Sequence, residues 1–302
     1  MVRGASGVGI LARMSPAVVG LTIVAAGTSM PELVVSLQAA ADGNPGIALG
    51  NVVGSNLFNI GVVLGATALV MPLRIHGNSV RFEWPVMLLA TVLLIFFARD
   101  GNLGRVEGGL LLLGMLLFIA YAVWVARRNT TEVERDEFSE GIGTASFGSK
   151  GARAWLYNAT AILLGGGLLA IGSETMVGGA VGVAMGLNIP TAVIGLTIVA
   201  AGTSAPELVT SLVAAWRGKD DIAVTNVLGS NIFNTFGIAG ATALTAPVTV
   251  PHSILARDHW WMLGFSLLLL PLIRSGMRVT RIEGMVLLGI YVAYTAMLLL
   301  AP

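Results

Sequence analysis

Residues 20–34 read GLTIVAAGTSMPELV and residues 195–209 read GLTIVAAGTSAPELV, identical at 14 of 15 positions across an offset of 175. The same offset carries GNVVGSNLFN (50–59) onto TNVLGSNIFN (225–234), and Ala66-Thr67-Ala68-Leu69 onto Ala241-Thr242-Ala243-Leu244. Each copy places one acid, Glu32 or Glu207, inside a run apolar enough to cross a bilayer. A carboxylate at such a depth costs about 2.5–3.5 kcal/mol on insertion scales, so it marks a functional site with a partner to be found. The chain must therefore fold as two related halves that bury two acids.

The surroundings of these segments exclude a soluble domain. Of the 302 residues, 55% are hydrophobic and 11% charged, against about 25% charged in an ordinary globular domain. Apolar runs near the ~20-residue membrane length recur along the chain. We expect helical spans at 16–41, 46–71, 82–98, 105–126, 153–185, 190–216, 221–246, 257–273 and 281–301, which is nine. The polar stretch ARRNTTEVERDEFSEGIGTASFGSKG (127–152) reads as a linker. The expected organisation is thus a first membrane repeat over 1–126, a linker over 127–152 and a second, inverted repeat over 153–302.

Nine is an odd number for a duplication. The span opening the second half has no counterpart, because Met1-Val2 already aligns with Met176-Val177. Two inverted five-helix repeats, the first lacking its amino-terminal helix, form the expected all-α polytopic fold. Arg3 is followed by no apolar core before Arg13, so no cleavable signal peptide is expected. On nine spans, fourteen of the 17 Lys and Arg residues fall on one side, leaving Arg99, Arg105 and Arg257 on the other. Positive residues gather inside, so we expect a multi-pass protein of the plasma (inner) membrane with a cytoplasmic linker and an outside carboxyl terminus.

Several classes of chemistry drop out. There is no Cys, hence no disulfide, thiolate site or cysteine nucleophile. His76, His252 and His259 lie in connecting segments, and no Ser-His or paired-Asp arrangement falls within a span, so an enzyme is not expected. The net charge is +1, with basic residues scattered between apolar runs, and a nucleic-acid partner is not expected. The partners left are the bilayer and inorganic cations, and no cofactor is called for.

The motif GTSxPE supplies the reason. Pro31 and Pro206 have no amide hydrogen and remove the helical bonds to the carbonyls of Gly27 and Gly202. The break is expected to free carbonyl oxygens around 25–28 and 200–203, tolerated in lipid only where they line a cavity or meet a ligand. Thr28 and Ser29 share a helix face with Glu32, as Thr203 and Ser204 do with Glu207. Carboxylate, hydroxyl and carbonyl oxygens without nitrogen or sulfur suit hard cations such as calcium and sodium. The competing reading is a kinked helix whose hydroxyls bond back to the preceding turn.

The second motif, GSNxFN, puts Ser55 with Asn59, and Ser230 with Asn234, at i and i+4. Gly54 and Gly229 allow close helix approach, while Asn56 and Asn231 are expected to make packing bonds. Interhelical bonding is an open alternative for Ser55 and Ser230. Glu174 reads as structural or interfacial, Asp220-Asp221 as a polar turn, and Glu132, Glu134, Asp136, Glu137 and Glu140 as solvated linker.

With both motifs duplicated in order, the chain closely resembles the calcium:cation antiporter superfamily, the sodium/calcium exchangers and their prokaryotic relatives. The resemblance implies ten helices in two inverted halves and secondary active exchange of calcium for sodium, or for protons in some branches. It implies a calcium-type site of Glu32 and Glu207 with oxygens of Thr28 and Thr203. Sodium-type sites would use Ser29, Ser55, Ser204 and Ser230 with the carbonyls of Ala25 and Ala200, and Asn59 and Asn234 would flank the centre. Many exchangers carry Asp where this chain has Asn234, which leaves two carboxylates and opens the question of potassium dependence. The missing helix belongs to the pair that slides during transport in the family, so a truncated, transport-incompetent member is a further alternative. A calcium/proton exchanger, a cation channel and, last, an intramembrane enzyme complete the rivals.

Overall fold

A computed structural model describes residues 16–75, 79–129, 152–187, 189–274 and 276–300, with Gly4, Gly7, Val8 and Leu11. Helix runs over 16–41 (α1), 45–70 (α2), 79–98 (α3), Arg105–Asn129 (α4), Ala152–Gly186 (α5), 191–216 (α6), 220–245 (α7), 254–274 (α8) and Arg281–Leu300 (α9). Four of these have the length and hydropathy to cross a membrane as they stand, and two bent pairs bring the number to six among the described residues. The nine expected spans are therefore not all distinguished by hydropathy. One that is not, α7, carries Asn226, Ser230, Asn231 and Asn234 through its middle, and polar side chains lower exactly the quantity such a test reads.

The two bends fall where the prolines place them. Met30–Ala41 starts with Pro31 in its first turn and turns by 48° from Gly20–Thr28, while Ala205–Trp216 starts with Pro206 and turns by 40° from Thr191–Thr203. Between the pieces Ser29 (φ −83°, ψ 9°) and Ser204 (φ −84°, ψ 5°) leave helical geometry. A second irregularity has no proline. Wide π-helical turns interrupt α1 and α6 at Gly20–Val24 and Gly195–Val199, and α2 and α7 at Asn59–Leu64 and Phe233–Ile238. Such turns insert one residue into the ladder and cluster at functional sites. The first pair matches at the offset of 175 and the second lies one residue from it.

The halves interlock rather than sit side by side. Two-residue strands pair antiparallel across them: β1 (Leu73–Arg74) with β4 (Arg278–Val279), and β2 (Asn102–Leu103) with β3 (Val248–Thr249). The last helix of each half packs on the other half through glycines. A Cβ on Gly108 of α4 would lie 2.8 Å from the Gly240 carbonyl of α7, and one on Gly284 of α9 would lie 2.6 Å from the Gly65 carbonyl of α2. Gly54 presses likewise on Leu196 and Ala200, and Gly229 on Leu21 and Ala25, the close approach expected of both. Equivalent residues also meet: Thr91 Oγ1 and Ser266 Oγ lie 3.4 Å apart. Reciprocal contacts of this kind imply an approximate two-fold axis between the halves.

Polarity runs inward. Leu163, Leu168, Val106 and Ile282 are each about 70% exposed, whereas Glu32, Asn51, Ser55, Asn59, Glu207, Ser230 and Asn234 are fully buried. A rod bundle coated in leucine around a polar centre suits lipid as its solvent, where backbone groups are satisfied within helices. One correction concerns histidine. His259 does not lie in a connection but inside α8, 1% exposed, because the π turn Ile254–Asp258 begins this helix before it. His76 and the acidic residues of the linker lie outside the described residues.

Candidate cation site

Glu32 and Glu207 each stand in the first turn of a helix that restarts after a break. That position favours an acid, because the unpaired amides of a helix start carry partial positive charge. The turn just before it ends the preceding half-helix, whose last carbonyls carry the opposite polarity. Each bent helix therefore presents both signs at one point, the arrangement by which broken membrane helices hold ions.

The crossing hydrogen bonds join the two points into one site. Ser29 Oγ donates to Glu207 Oε1 at 2.8 Å, and Ser204 Oγ donates to Glu32 Oε1 at 2.8 Å. Each acid is held by the serine of the other copy. Ser230 Oγ adds a donor to Glu207 Oε1 at 3.3 Å. The matching Ser55 Oγ donates instead to Asn51 Oδ1 at 3.4 Å, so the two acids are not equally supplied. The partners of both carboxylates among the described residues are hydroxyls, with no Lys or Arg on either.

What stays unpartnered is as informative. Glu32 Oε2, Glu207 Oε2, Asn59 Oδ1 and both polar atoms of Asn234 are buried without a hydrogen bond. A buried polar group left so costs about 1–3 kcal/mol, more when charged. These five atoms belong to residues picked out as ligands from the two motifs; elsewhere Asn56 Oδ1, Thr242 Oγ1, Asp258 Oδ2 and the His259 ring nitrogens are also buried without a bond. The other Asn59 atom, Nδ2, donates to Asn231 Oδ1 at 3.1 Å. Asn231 and Asn56 make the packing bonds expected of them: Asn231 Nδ2 to the Asn56 carbonyl at 3.3 Å, and Asn56 Nδ2 to Thr235 Oγ1 at 2.8 Å.

The Ala25 and Ala200 carbonyls, which the break was expected to free, remain bonded. Ala25 O accepts from Ser29 N (3.0 Å) and Thr28 Oγ1 (3.2 Å), and Ala200 O from Ser204 N (3.0 Å) and Thr203 Oγ1 (3.3 Å). The physical reason is the register of the break. Proline at 31 or 206 removes the bond to residue 27 or 202, and the serine amide two before each proline still closes the turn.

Residue reasoning missed a layer behind the candidate ligands. Asn51 Oδ1 accepts from Thr203 Oγ1 at 3.0 Å, and Asn226 Oδ1 from Thr28 Oγ1 at 3.4 Å, again across the halves. Their amide nitrogens donate to Ser36 Oγ (2.9 Å) and Ser211 Oγ (3.1 Å). The signal was available, since Asn51 and Asn226, like Ser36 and Ser211, repeat at the same offset of 175. Asp220 and Asp221 do not form the expected polar turn but open α7, where an acid suits the unpaired amides of the first turn. Asp220 Oδ2 accepts the Arg74 amide at 3.2 Å; the Glu174 side chain is outside the described residues.

Comparison with known proteins places the chain among membrane exchangers. Residues 1–124 and 157–300 match the family model described as sodium/calcium exchanger protein. The sodium/calcium exchanger MaX1 of Methanosarcina acetivorans is 35% identical over 324 residues, covering 98% of this chain and 93% of that one. A protein of Alkalimonas amylolytica named as an antiporter, CaxA, is 38% identical over 301 residues, covering 98% and 92%. Among solved structures, the sodium-calcium exchanger NCX_Mj superposes with a TM-score of 0.75 at 30% identity, covering 98% of this chain and 91% of that one.

Proposed function

The chain belongs to the sodium/calcium exchanger family, and from that premise we propose that it extrudes calcium in exchange for sodium at the site of Glu32 and Glu207. Membership makes it a multi-pass membrane cation antiporter. The choice of ions and ligands is our reading, and one observation carries it: two crossed carboxylates, each bonded through one oxygen and bare at the other.

Calcium takes 6–8 oxygen ligands. Glu32 and Glu207 supply charge, Thr28 and Thr203 hydroxyl oxygens, and Asn59 and Asn234 amide oxygens. Sodium draws on Ser29, Ser204, Ser55 and Ser230 with the Ala25 and Ala200 carbonyls, which then exchange their internal bonds for the ion. Two formal negative charges balance one calcium or two sodium ions. Because both ions need the same acids, they compete. Exchange then follows from unequal affinity in two alternating arrangements, with no covalent step.

We assign the two halves, 1–126 and 153–302, to inverted membrane repeats joined by the 127–152 linker. The β1–β4 pair brings Arg74 and Arg278 to one end, and the Arg74–Asp220 bond adds the loop of Arg217 and Lys219. The β2–β3 pair joins the stretch between Arg99 and Arg105 to the one before Arg257. This grouping supports a cytoplasmic linker and an outside carboxyl terminus.

The test is calcium uptake into proteoliposomes under an imposed sodium gradient. Glu32→Gln and Glu207→Gln should each abolish uptake while leaving a monodisperse protein. Undiminished flux in either variant overturns the assignment of the acids. Uptake driven by a pH gradient and not by sodium would move the coupling to protons.

A further inference from the structure

The two threonines differ from the serines in where their protons go. Ser29 and Ser204 donate to the acids themselves, so a cation must compete with those protons for the same oxygens. Thr203 points its proton away, to Asn51 Oδ1 at 3.0 Å. An amide oxygen only accepts, so this bond has one polarity. The amide cannot be turned over either, because Asn51 Nδ2 faces the Glu32 backbone carbonyl at 3.2 Å, which also only accepts. Asn51 Nδ2 further donates to Ser36 Oγ (2.9 Å), whose own proton goes to the Ala48 carbonyl at 3.3 Å. Ser55 Oγ donates to the same Asn51 Oδ1 at 3.4 Å.

Every proton in this chain thus has an assigned direction. Ser36, Asn51, Thr203 and Ser55 are all fully buried in this arrangement. We propose that Asn51 is a positioning residue that draws the Thr203 and Ser55 hydroxyl protons backward, so that both oxygens offer lone pairs to the cation. The inference rests on the reading of Thr203 as a ligand.

A second effect concerns the Ala200 carbonyl. Thr203 Oγ1 also reaches Ala200 O, at the longer 3.3 Å. Without Asn51 the hydroxyl loses its shorter acceptor and this carbonyl is next to it, which ties a second ligand oxygen more firmly to the first. Asn51 therefore draws the Thr203 proton away from that carbonyl, its bond being the shorter of the two. Asn226 is its counterpart with looser geometry. Its Oδ1 lies 3.4 Å from the Thr28 hydroxyl, but the Val24 and Ala25 carbonyls are nearer acceptors at 3.1 and 3.2 Å. The first-half asparagine, serving the second-half threonine, is the stronger device.

The experiment is a double-mutant cycle on sodium-driven calcium uptake in proteoliposomes, with wild type, Asn51→Ala, Thr203→Val and the pair. Asn51→Ala should raise the calcium concentration for half-maximal uptake about fivefold, the equivalent of about 1 kcal/mol, with the maximal rate within about twofold. Thr203→Val should raise it at least as much, and the double variant should be no worse than Thr203→Val alone. Ser36→Ala, which leaves Asn51 in place and removes one of the bonds holding its amide, should move half-saturation the same way and again add nothing to Thr203→Val. If Asn51→Ala does not fold, the Ser36 cycle decides. Additive losses, a normal Thr203→Val, or a fall in maximal rate at unchanged half-saturation would overturn the inference. Absence of sodium-driven uptake in wild type would overturn the proposed function instead.

Discussion

At the scale of single residues, the two acids share a motif but not an environment. Glu207 Oε1 has two hydroxyl donors, Ser29 and Ser230, while Glu32 Oε1 has Ser204. Removing Ser204 therefore takes the short serine bond from Glu32, whereas removing Ser29 leaves Glu207 a serine donor in Ser230. A hydrogen bond to a charged group contributes about 1.5–3 kcal/mol. Ser204→Ala should accordingly shift calcium half-saturation more than Ser29→Ala, read as calcium uptake against concentration. Asn234 gives a second prediction. Both of its polar atoms are buried and unpartnered, so Asn234→Asp adds a charge whose available partner is the cargo. The variant should melt at a lower temperature than wild type in cation-free buffer and gain more on adding calcium, by thermal shift in detergent. The residues proposed as ligands could be picked out in the sequence because hydroxyl, acid and proline recur together. Asn51 was not singled out, because nothing in its spacing says that its partner is Thr203, 152 residues away.

At the scale of elements, glycine spacing decides how near two helices can run. Gly108 and Gly109 are neighbours on α4 with opposite surroundings. A Cβ on Gly108 would meet the Gly240 carbonyl and the Leu244 amide at 2.8 Å, while one on Gly109 would meet nothing within 4 Å. Gly108→Ala should destabilise by about 1–3 kcal/mol through overpacking. Gly109→Ala should be neutral or stabilise by up to about 1 kcal/mol, since glycine weakens a helix interior. Melting the two variants in detergent separates a packing glycine from an idle one. The helix breaks were legible because proline lacks an amide. The π turns were not, since inserting one residue into a ladder leaves no side-chain signature at Gly20–Val24 or Asn59–Leu64. Hydropathy also failed α7, where the residues that make the site are the ones that mask the span.

At the scale of the whole molecule, the halves complete each other. The carboxyl-terminal helix of each packs on the other through Gly65–Gly284 and Gly108–Gly240, and both short antiparallel sheets take one strand from each half. Residues 1–129 expressed alone should not yield a folded protein. Co-expressed with residues 152–302, they should co-elute on size exclusion and restore sodium-driven calcium uptake. Duplication was plain in the sequence, but this exchange of partners was not, because an offset shows what is alike and not what touches. The crossed Ser–Glu bonds reach into heredity as well. After a gene doubles, its copies ordinarily drift apart, each free to lose what the other keeps. Here a change at Ser29 is felt at Glu207 and a change at Ser204 at Glu32, so neither copy can be spared. Fourteen matches in fifteen are what two ancestors' worth of sequence retains when each has become the other's binding partner.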